Sequence, residues 1–229
     1  VDALAALADE YPAGRQDCVT VLCGYLRRPA IQAGDLEVRQ GIVTLIRDRL
    51  QPGATPSWST SDVDLSGSVL VDVSFEGALF GGERTSFERV TFTGEWTSFD
   101  GVTFDAEWTS FDGATFGSFD TSFDGVTFSR RRASFDGATF SGVDTSFDHA
   151  TFASRQTSFD GACFGSLDSW FDEAVFVSER TSFDQAVVHG TVSFGPETYL
   201  PAAAFRLDTV AVQAPGSIQF LRLGVDAGA

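Results

Sequence analysis

The side chains best placed to do chemistry in this sequence are acidic and periodic. Glu88, Asp100, Asp112, Asp124, Asp136, Asp148, Asp160, Asp172 and Asp184 recur every twelve positions. On stacked strands, neighbouring carboxylates in such a row lie ~4.8 Å apart. They could ligate a divalent cation through oxygen, face a basic partner, or satisfy amides of their own turns. The third reading is favoured by the pairs Asp100-Gly101, Asp112-Gly113, Asp124-Gly125, Asp136-Gly137 and Asp160-Gly161, which are turn dipeptides. No run matches an EF-hand loop or a calcium-binding glycine-rich nonapeptide. Trp96, Trp108 and Trp170 stand where Ser or small polar residues otherwise dominate, and exposed aromatics can mark a contact surface. Asp100, Asp112, Asp124, Asp136, Asp160 and these three tryptophans are therefore the candidate partner-binding residues.

Other reactive types are sparse. His149 replaces a turn glycine and His189 stands alone, so neither has ligand-like spacing. Cys18 and Cys23 point about 140° apart on a helix, unsuited to a local disulfide or a metal pair. An odd, sparse cysteine count including Cys163 fits a reducing compartment, with the cytoplasm as default. No nucleophile elbow, phosphate loop or dinucleotide fingerprint occurs, and no catalytic residue or cofactor is expected.

The period belongs to a twelve-residue block. TSFERVTFTGEW, TSFDGVTFDAEW, TSFDGATFGSFD and their successors run from Thr85 to Val192, with a forerunner at Val73. Phe recurs at alternating spacings of five and seven from Phe75 to Phe183, and the whole chain holds 23 Phe. Within a block, Thr85 and Phe87 share one face of an extended segment, as do Val90 and Phe92; Ser86 and Thr91 take the other. Each block is two short strands and a tight turn, unable to bury its Phe alone. Stacked coils bury a continuous Phe column. Coils of twelve or twenty-four residues are both conceivable, but four bulky Phe per layer favour a four-sided coil of twenty-four. Ten blocks then make about five coils, roughly 24 Å long. The outward row Thr91, Thr103, Thr115, Thr127, Thr139 and Thr151 reads as ordinary strand surface rather than an ice-binding array.

The unit in which Phe-Asp-Gly is followed by Ala-Thr-Phe resembles the pentapeptide repeat, with Phe99 and Phe104 at the central inward position and Thr97 and Val102 at the small one. The second unit has seven residues instead of five, similar to a dodecad variant of high-GC bacteria that carries an N-terminal helical segment. The resemblance implies a right-handed parallel β-helix, and for some members binding of DNA topoisomerases such as gyrase by mimicry of duplex DNA. In relatives of this kind a membrane-spanning segment often lies upstream.

The flanks divide the chain. Residues 1–51 read as an α-helical unit of three helices: Asp2 to Tyr11 with Leu4, Leu7 and Tyr11 aligned, Arg15 to Arg28 with Val19, Leu22 and Leu26, and a helix N-capped by Asp35 with Val38, Ile42, Leu45 and Ile46 on one face. Residues 52–72 form a linker and the entry into the first coil, 73–194 the solenoid, and 195–229 a C-terminal cap. A homodimer through the solenoid end is the alternative use of that terminus. The formal charge of −17, with all 15 basic residues arginine, argues against direct contact with nucleic acid or an anionic membrane surface. The absence of Met, with Val1 first, suggests a fragment or processed form, so membrane association would come only through an upstream anchor. The expectation is a mainly β, non-enzymatic scaffold that presents an acidic solenoid face to a protein partner; gyrase-directed DNA mimicry is the alternative.

Overall fold

The computed structural model describes residues 1–29, 34–195, 197–201, 205–206 and 209–220. Three helices open the chain: α1 (Asp2–Glu10), α2 (Arg15–Leu26) and α3 (Asp35–Arg49), within the limits set by Pro12, Pro29 and Pro52. Their buried faces differ in part from the expected stripes. In α1 the buried residues are Ala5 and Ala8, while Leu7 and Tyr11 are exposed, because small side chains let α1 approach α2 closely. Asp35 is the first helical residue rather than the cap, and it accepts the Tyr25 hydroxyl at 2.5 Å. Helix α3 buries Ile42, Val43 and Ile46 but leaves Val38 exposed. That rotation brings buried Arg39 onto the carbonyls of Leu26 and Arg28, where α2 ends, and onto Val69 O of the first coil at 3.1 Å. Asp9 completes the dock by accepting Arg49 through both oxygens and Trp58 Nε1 at 2.9 Å. The helical unit thus closes one end of the Phe core, as a solenoid requires.

Beyond it the chain winds as a parallel β-solenoid of about six turns. The register is twenty-four residues: Thr103 pairs with Thr127 and Thr127 with Thr151, and Thr109 pairs with Ala133 and Ala133 with Thr157. Four faces follow one another around each coil. The first runs through Arg84–Ser86, Trp108–Ser110, Arg132–Ser134, Gln156–Ser158 and Arg180–Ser182. The second holds Thr115–Phe116, Thr139–Phe140 and Cys163–Phe164, and the third Asp120–Ser122, Asp144–Ser146 and Asp168–Trp170. The fourth holds Leu79–Phe80, Thr103–Phe104, Thr127–Phe128, Thr151–Phe152 and Val175–Phe176.

The rod is longer than the repeat alone suggests. Val63–Asp64, within the stretch read as linker and entry, and Val69–Ser74, at its junction with the solenoid, pair as strands of the first coil. Phe205–Arg206, Ala211–Val212 and Ser217–Phe220 extend three ladders at the other end. The first face therefore has seven rungs, a rise of ~29 Å. The remainder of the expected cap, including Leu221 to Leu223, lies outside the described residues.

Aromatic stacking holds the coils together. Phe87, Phe111, Phe135 and Phe159 stack with centroids 4.8, 4.7 and 4.7 Å apart and planes within about 5°. Rings from adjacent columns meet edge to face, as Phe99 does with Phe111 at 5.5 Å. Both geometries suit the ring quadrupole and add to the burial energy. Two kinds of corner join the faces. Tight Phe-Asp-Gly-Val/Ala corners close by bonds such as Val102 N to Phe99 O, with Gly101 at φ 63°. The seven-residue units make two longer corners, diagonally opposed because they are half a coil apart.

Candidate functional site

The ladder acids sit on the tight corners in two columns, Glu88–Asp112–Asp136–Asp160–Asp184 and Asp100–Asp124–Asp148–Asp172. Their role differs from the expected local turn bond: from Asp100 to Asp160 each reaches the next coil, whereas Glu88 accepts Arg84 within its own coil. Asp136 Oδ1 accepts the Ser158 hydroxyl and the Asp160 amide at 3.1 Å; Asp160 Oδ1 accepts Ser182 at 2.5 Å and the Asp184 amide at 2.8 Å. Asp100, Asp112 and Asp124 take Ser122, Ser134 and Ser146 in the same way. The turn amide is served by the preceding serine, as Asp112 N is by Ser110 Oγ at 3.2 Å. Of the inter-coil serine donors, expected to point outward, Ser134, Ser158 and Ser182 are buried and Ser122 and Ser146 half-buried. Asp148 and Asp172 lack the serine, and the buried Asp172 Oδ1 has no partner. Trp170 stands where the serine donor to Asp148 would be, in register with Ser146, and Asp148 accepts only the Asp172 amide at 2.9 Å. Burial raises its carboxyl pKa, and Asp124 and Asp172 add to the rise.

The three tryptophans occupy three places. Trp170 is half-buried on the third face. Trp96 is 43 % exposed and begins the column Trp96–Asp120–Asp144–Asp168 beside one long corner. Trp108 is 42 % exposed beside the opposite corner, in the column Arg84–Trp108–Arg132–Gln156–Arg180. The long corners consequently differ in chemistry.

At the first, Phe119, Val143 and Leu167 stack through Val143 N to Phe119 O and Leu167 N to Val143 O, both 2.8 Å. Phe119 and Leu167 are 57 % and 67 % exposed, so they do not pack beneath the corner. The adjoining carboxylates have no cation among the described residues, and the Asp144 pKa is raised by burial and then by Asp120 and Asp168. At the opposite corner lie Arg84, Arg130, Arg131, Arg132, Arg155 and Arg180, six of the seven arginines between residues 63 and 201. Arg130 is paired with Asp105, which it and Ser129 hold below the usual carboxylate pKa, and Arg155 with Glu179 at 3.0 Å. The basic column follows the twenty-four-residue period of the coil.

Long-corner serines also turn inward. Ser118, Ser166 and Ser178 are buried and bond to Thr97, Thr145 and Thr157 at 2.7, 2.9 and 2.8 Å. Where the residue twenty-one positions on is not serine, as at Thr85, Thr109 and Thr121, the buried hydroxyl has no partner.

His149 is an exposed turn residue at φ 58°, 3.1 Å from Glu173 one coil on. All three cysteines are free, and burial raises the Cys23 thiol to about 12. Among the described residues no group of three His, Cys, Asp or Glu side chains is placed to hold a metal ion, and no helix is long and apolar enough to cross a membrane. The architecture and the two opposed surfaces define a repeat β-solenoid of the kind that serves structural or interaction roles. Comparison with family models, curated proteins and solved structures finds no match to this chain.

Proposed function

We propose that this protein is a non-catalytic interaction scaffold of the pentapeptide-repeat type, and that its acidic–apolar long corner receives a protein partner. The observation that carries this reading is the in-register column Asp120–Asp144–Asp168 beside exposed Phe119 and Leu167. Unpaired like charges next to bare apolar side chains are unfavourable in the isolated chain and suit a partner that brings arginine or lysine with aliphatic surface. The ladder aspartates, engaged between coils, support the rod that displays this edge. Affinity capture should recover a partner with wild-type protein and lose it with Asp120→Asn/Asp144→Asn/Asp168→Asn. Equal capture by both would remove the edge from the proposal.

DNA mimicry toward a topoisomerase draws on the −17 charge. The arginine corner and the internal use of the ladder carboxylates weigh against it, because a duplex mimic needs continuous acidic flanks. Inhibition of gyrase supercoiling at micromolar protein would favour mimicry over the scaffold reading.

A further inference from the structure

The second long corner carries a site of its own. Trp108, Arg131, Arg132, Arg155, Gln156, Glu179 and Arg180 line a groove of about 400 Å³ that crosses successive coils of the first face. The volume is that of a small-ligand site. Four guanidinium groups line it against one carboxylate, on a chain whose acids outnumber its arginines 32 to 15. Glu179 is already engaged with Arg155 at 3.0 Å, and Arg132 donates to Asp136 at 2.8 Å. Arg132 keeps a buried Nε–H without a partner, and neither Arg131 nor Arg180 has a salt bridge among the described residues. The Arg131 guanidinium lies over the Trp108 ring at 4.9 Å, so one wall of the groove is a flat cation–aromatic pair.

We infer that this groove binds a small organic anion that joins a flat ring to two adjacent phosphate groups, a nucleoside diphosphate in chemical class. The repeat sets the spacing. Arg131, Arg155 and Arg180 rise from three successive coils whose backbones lie ~4.8 Å apart, and arginine forks recognise phosphate oxygens in pairs. The ring stacks on the planar Arg131–Trp108 wall, a surface that arginine offers and lysine does not. The ligand relieves the repulsion of cations gathered at one edge, which the few local acids neutralise only in part. This site is diagonally opposite the acidic–apolar corner and independent of whatever docks there.

The test is calorimetric titration of the full chain with ADP, pyrophosphate and citrate at low salt. The expected result is saturable ADP binding with a Kd below about 1 mM, and pyrophosphate weaker by about tenfold for want of the ring. Citrate, a carboxylate anion, is expected to be weaker still. Arg131→Ala/Arg180→Ala is expected to weaken ADP by at least about tenfold, whereas Arg89→Ala, outside the groove, leaves it unchanged. Both variants are checked for native circular dichroism, and Arg131→Lys/Arg180→Lys, which keeps the charge, serves as a second pair. No saturable ADP binding overturns the inference, as does binding unaffected by the alanine pair. Pyrophosphate or citrate equal to ADP overturns the ring-stacking wall and the choice of ligand class, and so does a lysine pair that binds like wild type.

Discussion

Asp124→Ala and Asp124→Asn together test whether the acidic ladder joins coils or merely lines the surface. Asp124 Oδ1 accepts both the Ser146 hydroxyl and the Asp148 amide, the latter at 3.2 Å. Hydrogen bonds to a charged acceptor are worth about 1.5–3 kcal/mol each, and partial burial places the pair of them near ~2–4 kcal/mol. Repulsion works the other way. A carboxylate one coil away at ~4.8 Å costs about 0.9 kcal/mol in water and roughly half that at physiological salt, so two neighbours return ~1 kcal/mol. Alanine should therefore destabilise by ~1–3 kcal/mol. Asparagine keeps an acceptor oxygen for both donors and loses the repulsion with the charge, so it should stay within about 0.5 kcal/mol of wild type. Urea unfolding followed by far-ultraviolet circular dichroism measures both. If alanine equals asparagine, or if both stabilise, the ladder carboxylates are free surface charges and the inter-coil bonds contribute nothing.

Three further outcomes follow from the same geometry. Thr121→Val, which removes a buried hydroxyl without a partner, should raise stability by about 1 kcal/mol in the same assay, buried Val73 and Val192 showing that the column accepts valine. Glu173→Gly relieves a left-handed residue at φ 56° and should stabilise by about 1 kcal/mol, its exposed contact with His149 counting for little. Trp170→Ser should supply the hydroxyl that Asp148 lacks and lower its pKa, read by carboxyl NMR titration. Because that pKa is raised in the folded state, the fold holds the proton more tightly than the unfolded chain. Stability therefore falls as pH rises from the ordinary aspartate range through the folded value, and Trp170→Ser should flatten that fall.

The core was legible because each Phe repeats a fixed role. The five-seven spacing gives the inward columns, the Asp-Gly pairs give the tight corners, and the bulk of Phe favours the twenty-four-residue coil. The destination of a carboxylate was not legible. A period of twelve places Asp136 on a corner, but whether Oδ1 meets its own turn or Ser158 one coil on depends on side-chain direction in the stacked rod. Ser118 and Ser166 are small polar residues of the seven-residue units, and nothing in that pattern shows that their hydroxyls turn inward to Thr97 and Thr145. In α1 the largest apolar residues drew the expected stripe, while close helix packing selected Ala5 and Ala8. Of the candidate site residues, Trp96 and Trp108 fall at the two long corners, but their opposite surroundings appear only when Asp120, Asp144 and Asp168 are stacked apart from Arg132 and Arg180.

Everything assigned to those corners depends on the coil being twenty-four residues with four faces. Spin labels on paired cysteines measure this directly, in a Cys163→Thr background. Thr103→Cys/Thr127→Cys places labels on adjacent rungs of one face, ~4.8 Å apart, and should give strong spin–spin broadening in continuous-wave spectra. Thr103→Cys/Thr115→Cys places them on the fourth and second faces and should give spectra that are the sum of the single labels. Strong broadening for the pair twelve residues apart, with none for the pair twenty-four apart, would contradict the four-sided solenoid and the two edges built on it.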